Sequence, residues 1–496
     1  MYKNKRFGVF GLGLSGLATM KYLASHKAEF IAADDQLNAI LNISSNYPEL
    51  AANLKELTDD SWQKIDYLIL SPGIALTHPN PHPVVELARK VNAKIICDIE
   101  LLYLDNPNAF FIGITGTNGK STTTALITHI LKHNGVNAIL GGNIGVPVLD
   151  LKAIDKNTVF VIEASSFQLD LLDKTKFNIA LLLNISPDHL DRHGNMENYT
   201  KSKYRIFKHQ NRSMLSSLPA ALAEGEDPEK NFQLDPRSSL RSSKDDGIGL
   251  KCSSKDNNSE MKYLSKDDGN FFAVQDTAII NLDFAPVTNS ITFSENKKSD
   301  VTIIDNILYY ADKSYILPDN NSLLGKHNQQ NLAASIACCI KYGLSIEQII
   351  AAIPSFVGLK HRMQYLGEHK QVTFINDSKA TNADSSAKAL ASFDNIIWIA
   401  GGVAKEGGIA SLKEYFPKIK QALLIGKSQA EFAQTCGEMV AWQKCDNLTT
   451  AFKIACETSI PGDVVLLSPA CASYDQWKNF EERGDFFIKM VENLKN

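Results

Sequence analysis

The residues Gly113-Ile-Thr-Gly-Thr-Asn-Gly-Lys-Ser-Thr-Thr-Thr124 have the types and spacing of a phosphate-binding loop. An apolar run, Ala109-Phe-Phe-Ile112, leads into them, and the helix-like Ala125-Leu-Ile-Thr-His-Ile-Leu-Lys132 follows. Strand, glycine turn and helix start together make an anion site. The first N–H groups of a helix lack internal partners, and its N-terminus carries partial positive charge. Gly116, Thr117, Asn118 and Gly119 supply the turn, with Thr123 in the helical turn behind it. Lys120 can set its ammonium against the terminal phosphates, and the Ser121 or Thr122 hydroxyl can complete a Mg²⁺ shell. The usual G-x-x-x-x-G-K-[ST] spacing wants glycine at 114, where Ile114 stands; the glycines are at 113, 116 and 119. A glycine turn with a chance lysine is the competing reading. The flanking strand and helix favour a nucleoside triphosphate site of a special type.

The elements that position this loop read as α/β throughout. Residues 1–97 alternate strand and helix: Arg6–Phe10, the turn Gly11-Leu-Gly-Leu-Ser-Gly16, a helix Leu17–Ser25, then a strand Glu29–Ala33 ending at Asp34-Asp35. Tyr67–Leu70 ends at Ser71-Pro72-Gly73, and Lys94–Cys97 closes the unit. This is a doubly wound pattern with ligand expected at the carboxyl ends of the strands. G-x-G-x-x-G suggests NAD, and the same turn equally suits the pyrophosphate of a UDP-sugar.

Residues 98–357 hold the phosphate loop. Val159–Ile162 delivers Glu163, followed by Ala-Ser-Ser-Phe-Gln168. Ile179–Leu183 delivers Asn184-Ile-Ser-Pro-Asp-His-Leu-Asp-Arg-His193. Parallel strands would put these groups on the sheet edge that carries the loop. Tyr199–Lys208 reads as a helix whose Lys201, Lys203 and Arg205 form a solvated face. Residues from about 209 to 270 are polar, of mixed charge and aperiodic, so they read as a flexible surface insertion with no catalytic role. Helices are expected at Asn328–Tyr342 and Ser345–Ile353. Residues 358–496 read as a third α/β unit, with polar or glycine residues just past the strands Thr373–Ile375, Asn395–Ala400, Gln421–Ile425 and Asp463–Leu467.

With these motifs in view, the sequence resembles the Mur ligases of peptidoglycan synthesis over nearly its whole length apart from the insertion. The loop Gly113–Ser121, Glu163, Asp188-His-Leu-Asp-Arg192, Lys203, His327-Asn328-x-x-Asn331 and His361-Arg362 match the family's motifs in order. The resemblance accounts for Ile114, because the family's loop has this glycine spacing. It implies an N-terminal Rossmann-like domain, a central P-loop-type ATPase domain with a parallel sheet, and a C-terminal Rossmann-like domain. Gly11–Gly16, Ser71-Pro-Gly73, Glu163–Leu169, Asn376–Asn382 and Leu467–Ser473 look like the member that joins D-glutamate to UDP-N-acetylmuramoyl-L-alanine. ATP would activate the substrate carboxylate as an acyl phosphate, which the D-glutamate amine then attacks.

The resemblance also implies roles. Lys120, Glu163, His189 and Lys203 would be catalytic. Two Mg²⁺ ions are expected, held by Ser121, Glu163, His189 and Lys203 as its carbamate. On its own, Glu163 reads equally as a capping carboxylate, His189 as a structural histidine and Lys203 as a surface cation. ATP would meet Gly116–Thr123, Asn328, Asn331, Arg362, Asp377 and Lys379. The UDP substrate would meet Leu14, Ser15, Asp35, Gly73, Asn143, Ser165 and Gln168. D-Glutamate would meet Thr381, Lys405, Ser473 and Phe480, with the register of Lys405 ambiguous in Ala400-Gly-Gly-Val-Ala-Lys-Glu-Gly-Gly408.

Composition bounds the remainder. The 496 residues are 44% hydrophobic and 21% charged with net charge −4, which suits soluble α/β domains and gives no general pull toward nucleic acid or anionic membrane. No run approaches the ~18 apolar residues of a spanning helix, and no cleavage site follows the basic N-terminus, so a cytoplasmic monomer is expected. Eight scattered cysteines without C-x-x-C fit reduced core thiols. The rivals are a related ligase for another amino acid or for folate, an NAD-dependent dehydrogenase, and a nucleotide-binding regulator without turnover.

Overall fold

A computed structural model describes residues 2–208, 272–276, 290–295, 299–323, 325–405 and 407–494, the side chains of 272–276 and 290 excepted. The insertion expected at 209–270 lies outside the described residues. Three sheets carry the molecule. Strands β1 (Arg6–Phe10), β2 (Glu29–Ala33), β3 (Tyr67–Leu70) and β4 (Lys94–Ile96) form a parallel sheet in the order β2-β1-β3-β4. Its strand order reverses between β1 and β3, so the crevice lies between the Gly11 turn and Ser71–Gly73.

Among the described residues the central sheet has nine strands: β5 (Phe110–Thr115), β6 (Ala138–Gly142), β7 (Val159–Glu163), β8 (Ile179–Leu182), β9 (Phe272–Asp276), β10 (Ser290–Ser294), β11 (Val301–Ile304), β12 (Ile307–Tyr310) and β13 (Lys313–Ile316). They run in the order β13-β12-β11-β10-β9-β8-β5-β7-β6. Among the described residues β12 alone runs against the rest, antiparallel to both β11 and β13. β5 is apolar on both faces because both are covered, Phe111 facing one core and Ile112 and Ile114 the other. At Gly113 a Cβ would stand 2.6 Å from the Phe177 ring, so only glycine lets that ring close over the strand.

The third sheet joins β14 (Gln364–His369), β15 (Val372–Asn376), β16 (Ile396–Gly401), β17 (Ile419–Ile425), β18 (Trp442–Asp446) and β19 (Val464–Leu467) in the order β14-β15-β19-β16-β17-β18. All pairs but β14–β15 are parallel.

The cores do not follow the sheets one for one. One apolar cluster runs from the first sheet (Phe7, Val9, Phe10) through Ile99 and Leu102 into the central unit at Phe111, Val148 and Phe160. A second lies on the other face of the central sheet, and two more flank the third sheet. Polar links reinforce the first junction. Glu100, almost fully buried, accepts from the backbone N–H of Asp173, Lys174 and Thr175 and from the Thr175 hydroxyl.

Several expectations shift. The first helix begins at Leu14, not Leu17, and runs to Ser25. The loop helix begins at Lys120, not Ala125, and runs to His133. Its Ser-Thr-Thr-Thr start is poor in helix propensity, but Thr124 and Thr128 donate their hydroxyls to carbonyls one turn back. The helix expected at Tyr199–Lys208 spans Met196–Tyr204, capped by the Asn195 side chain, and gives way to a 3₁₀ turn at Arg205–Phe207. Lys203 on it is buried, not part of a solvated face. Among the described residues the seven cysteines are free, six of them buried. No helix there is long and apolar enough to cross a membrane.

Candidate active site

The loop between β5 and the helix Lys120–His133 is shaped by its own backbone. Gly119 adopts φ +81°, and a Cβ there would fall 2.1 Å from the Asn331 side-chain oxygen. Asn184, just past β8, holds the turn by accepting from Asn118 N–H at 2.8 Å and from Thr117 N–H. Asn331 accepts from the Thr123 hydroxyl and donates to Asn328 at 2.9 Å, so the helix Lys326–Tyr342 braces the loop from behind. Lys120 folds back and donates to the Gly116 and Thr117 carbonyls, both at 2.8 Å. Burial holds its ammonium below the usual lysine range; Glu163 and Asp188 oppose that shift and Arg362 adds to it.

Beside the loop, the Ser121 hydroxyl donates to Glu163 Oε2 at 2.7 Å, with both residues buried. Lys203 donates to the same Gly116 carbonyl, at 2.9 Å, and its ammonium lies 4.5 Å from the Tyr199 ring centroid. Burial first, then the Lys120 charge, pushes Lys203 well below an ordinary lysine. His189 sits at φ +52°, its side chain half exposed, with Nε2 3.4 Å from Asp188 Oδ2. Burial and the neighbouring Lys203 and Lys120 favour its neutral form.

The third sheet supplies the opposite wall of a cleft of about 310 Å³. Thr117–Thr122, Asn143, Glu163, Asn328 and Asn331 face Arg362, Asp377 and Lys379 across it. Asp377, just past β15, accepts from Ser468 at 2.8 Å and from Met363 N–H at 3.1 Å, and is pushed up to about 7 by burial. Lys379 stands 3.9 Å from the Phe480 ring centroid. The arrangement can bind a polyanion between two walls, with an oxygen pair at one end. The four groups expected with the amino acid differ in exposure. Ser473 is buried and Thr381 partly buried, Phe480 packs on Lys379, and Lys405 is exposed on its loop.

Models for the Mur ligase MurD-like N-terminal domain, the Mur ligase middle domain and the Mur ligase glutamate ligase domain match residues 5–96, 114–248 and 361–471. A UDP-N-acetylmuramoylalanine--D-glutamate ligase of Rickettsia prowazekii is 40% identical, over 99% of this chain and 98% of its own. One of Wolbachia pipientis is 39% identical over 100% and 97%. The chain belongs to the Mur ligase family. Solved Mur ligases share the fold. UDP-N-acetylmuramate-alanine ligase MurC from Thermotoga maritima superposes with TM-score 0.54 at 14% identity, covering 99% of both chains. MurF ligase from the same organism, in complex with ADP, gives 0.55 at 16%, covering 99% of this chain and 97% of the other.

Mur ligase membership implies Mg²⁺, and the donor set suits it. The Ser121 hydroxyl and Glu163 carboxylate are hard oxygens beside the loop. Among the described residues no three His, Cys, Asp or Glu side chains converge on one point.

At the expected UDP end of this Mur ligase, Leu14 is exposed and Gly73 is open in front. Asp35 pairs with His82 at 2.9 Å, and Asn143 is exposed in the cleft. Ser15 donates to Asp98. Ser165 and Gln168 form a capping box, and the Gln168 amide also donates to Asp98 at 3.0 Å, so both already serve the scaffold. Sequence reasoning missed Asp98, which links Ser15 to Gln168. It also missed Arg192, whose guanidinium donates to Gly73 O at 2.9 Å and Ile74 O at 2.6 Å and lies 4.7 Å from the Phe167 ring centroid. The signal for Arg192 was its place in the Asp188–Arg192 motif; Asp98 had none.

Proposed function

We propose that this chain joins D-glutamate to UDP-N-acetylmuramoyl-L-alanine, using ATP, in cytoplasmic peptidoglycan precursor synthesis. The observation that carries the reading is the buried Ser121–Glu163 pair set beside the phosphate loop, opposite Arg362 and Lys379, in one cleft. A carboxylate approaching a triphosphate meets strong repulsion, so positioned cations supply most of the catalysis. Lys120 would leave its two loop carbonyls for the β/γ-phosphates, and Arg362 and Lys379 would approach from the facing wall. Mg²⁺, two ions in our reading, would be held by Ser121, Glu163, His189 and a modified Lys203, and supplies charge neutralisation between phosphate and carboxylate. The substrate carboxylate takes the γ-phosphoryl group and ADP leaves. The amine of D-glutamate then attacks the acyl carbon, phosphate departs, and the amine gives up a proton as the amide forms.

Lys203 is prepared for the modification. Burial and the Lys120 charge disfavour its ammonium, and the neutral amine has a lone pair on Nζ that can attack carbon dioxide and release one proton. The resulting N-carboxylate offers hard oxygens where an ammonium would repel a metal ion. The remaining ATP contacts would be Gly116–Thr123, Asn328, Asn331 and Asp377. Leu14, Ser15, Asp35, Gly73, Asn143, Ser165 and Gln168 would line the UDP substrate, the last two chiefly by shaping its floor. Thr381, Lys405, Ser473 and Phe480 would receive D-glutamate, and closure of the third unit must bring Lys405 inward. The sheets support domain boundaries at 97/98 and 357/358.

The test is ADP or phosphate release in the presence of UDP-N-acetylmuramoyl-L-alanine, comparing D-glutamate with L-glutamate, D-alanine and L-lysine. Release that requires D-glutamate is expected. Equal release with another amino acid overturns the assignment.

A further inference from the structure

The nucleotide cleft contains a cation that no motif singles out. Lys388, on the helix Ala383–Ser392, lines the same space as Thr117–Thr122, His327, Asn328 and Arg362. Its ammonium has no hydrogen-bond or ion-pair partner among the described residues. Burial pushes it down to about 8, Lys120 and Arg362 add to that, and Asp377 and Asp384 oppose it. The cleft walls thus present Lys120, Arg362, Lys379 and Lys388 against only Glu163 and Asp377. An unpaired cation in such a crowd is costly unless an anion arrives.

The helix Ala383–Ser392 packs against the start of the helix Lys326–Tyr342: a Cβ at Gly325 would stand 2.6 Å from Ser392 Oγ and 3.1 Å from the His327 ring, and Ser392 donates to the Lys388 carbonyl one turn back at 2.7 Å. The Lys388 charge reaches His327, whose imidazole burial and this charge push down to about 4. The Ser121–Glu163 pair marks the end where the terminal phosphate would react, and Lys388 is set toward His327 and Asn328. We propose that Lys388 is a nucleotide contact whose ammonium takes the α/β-phosphate stretch and ties the third unit to the bound nucleotide. This rests on the reading of the cleft as an ATP site.

ADP carries those two phosphates and needs neither of the other substrates to bind, so calorimetric titration of the full chain with MgADP is the test. Lys388→Met should weaken ADP about ten- to hundredfold, the usual consequence of losing a charged hydrogen bond, and Lys388→Arg should stay within about threefold of the unsubstituted chain. The ligand-free Lys388→Met protein should melt no lower than the unsubstituted chain, since it loses an unpaired buried charge, while its ADP-induced rise in Tm shrinks. In turnover, KM for ATP rises while KM for the other two substrates holds within about twofold. Equal ADP affinity in Lys388→Met and the unsubstituted chain overturns the proposal. Should Lys388→Met fail to fold, Lys388→Gln is titrated against the same criterion. Absence of ADP binding in the unsubstituted chain would instead refute the ATP reading on which the inference stands.

Discussion

Lys203 shows how far one residue's surroundings change its chemistry. On a bare helix it would be a solvated cation, yet here it is buried and shares one carbonyl with Lys120. Lys203→Ala should lower turnover by on the order of 10³ or more if it becomes a metal-facing carbamate, and short carboxylic acids should restore part of the rate. Near-normal rates in the alanine variant would remove it from the site. His193 offers a second residue-scale test. It lies buried, with Nε2 2.9 Å from the Ser166 hydroxyl, and burial, then the charges of its neighbours, push it down to about 4. A histidine depressed in the fold takes up its proton more readily when unfolded. Its stabilising contribution is therefore whole above about pH 6.5 and fades as pH falls toward 4. His193→Gln should show a shallower loss of Tm across that window than the unsubstituted chain; equal slopes would refute the assignment.

At the scale of elements, the strand–loop–helix unit was legible because its apolar run, glycines and helix start are local features. The order of glycines at 113, 116 and 119 was visible too, but two of their reasons were not. Phe177 over Gly113 and Asn331 against Gly119 come from distant segments. Gly119→Ala should cost about 1–2 kcal/mol for its left-handed backbone alone, and displace Asn331 as well. We expect ATP affinity to fall at least tenfold, and affinity within about threefold of the unsubstituted chain would mean that the backbone conformation at 119 does not set the loop. The junction between the first two sheets was scarcely legible. Asp98 and Glu100 look like ordinary polar residues until the fold brings them to Gln168 and Thr175, and the motif that holds Arg192 gave no sign of its contact with Gly73. Arg192→Met should raise KM for the UDP substrate several-fold through Gly73 and Ile74, with ATP affinity unchanged.

For the whole molecule, the distribution of apolar cores matters more than the number of sheets. One cluster binds the first sheet to the central unit, while the third sheet keeps two clusters of its own. The first two units should therefore move as one body, with the third closing on them around the nucleotide. Two calorimetric transitions are expected without ligand. Saturating MgADP, which on the proposed reading would bridge the cleft, should draw them together; at about 100 times Kd, a ligand adds roughly 2.7 kcal/mol to the bound state. A single transition under both conditions would mean the third unit is not independent.

The same division decides what an optical probe can see. Of the four tryptophans, Trp62 alone lies in the larger body, buried beneath the first sheet, whereas Trp398, Trp442 and Trp477 all belong to the third unit. Indole emission will report chiefly on the smaller part, while far-ultraviolet dichroism weighs every helix and strand. Denaturation curves from the two signals should separate, and that separation will record which part loosened first, not an extra intermediate within either one.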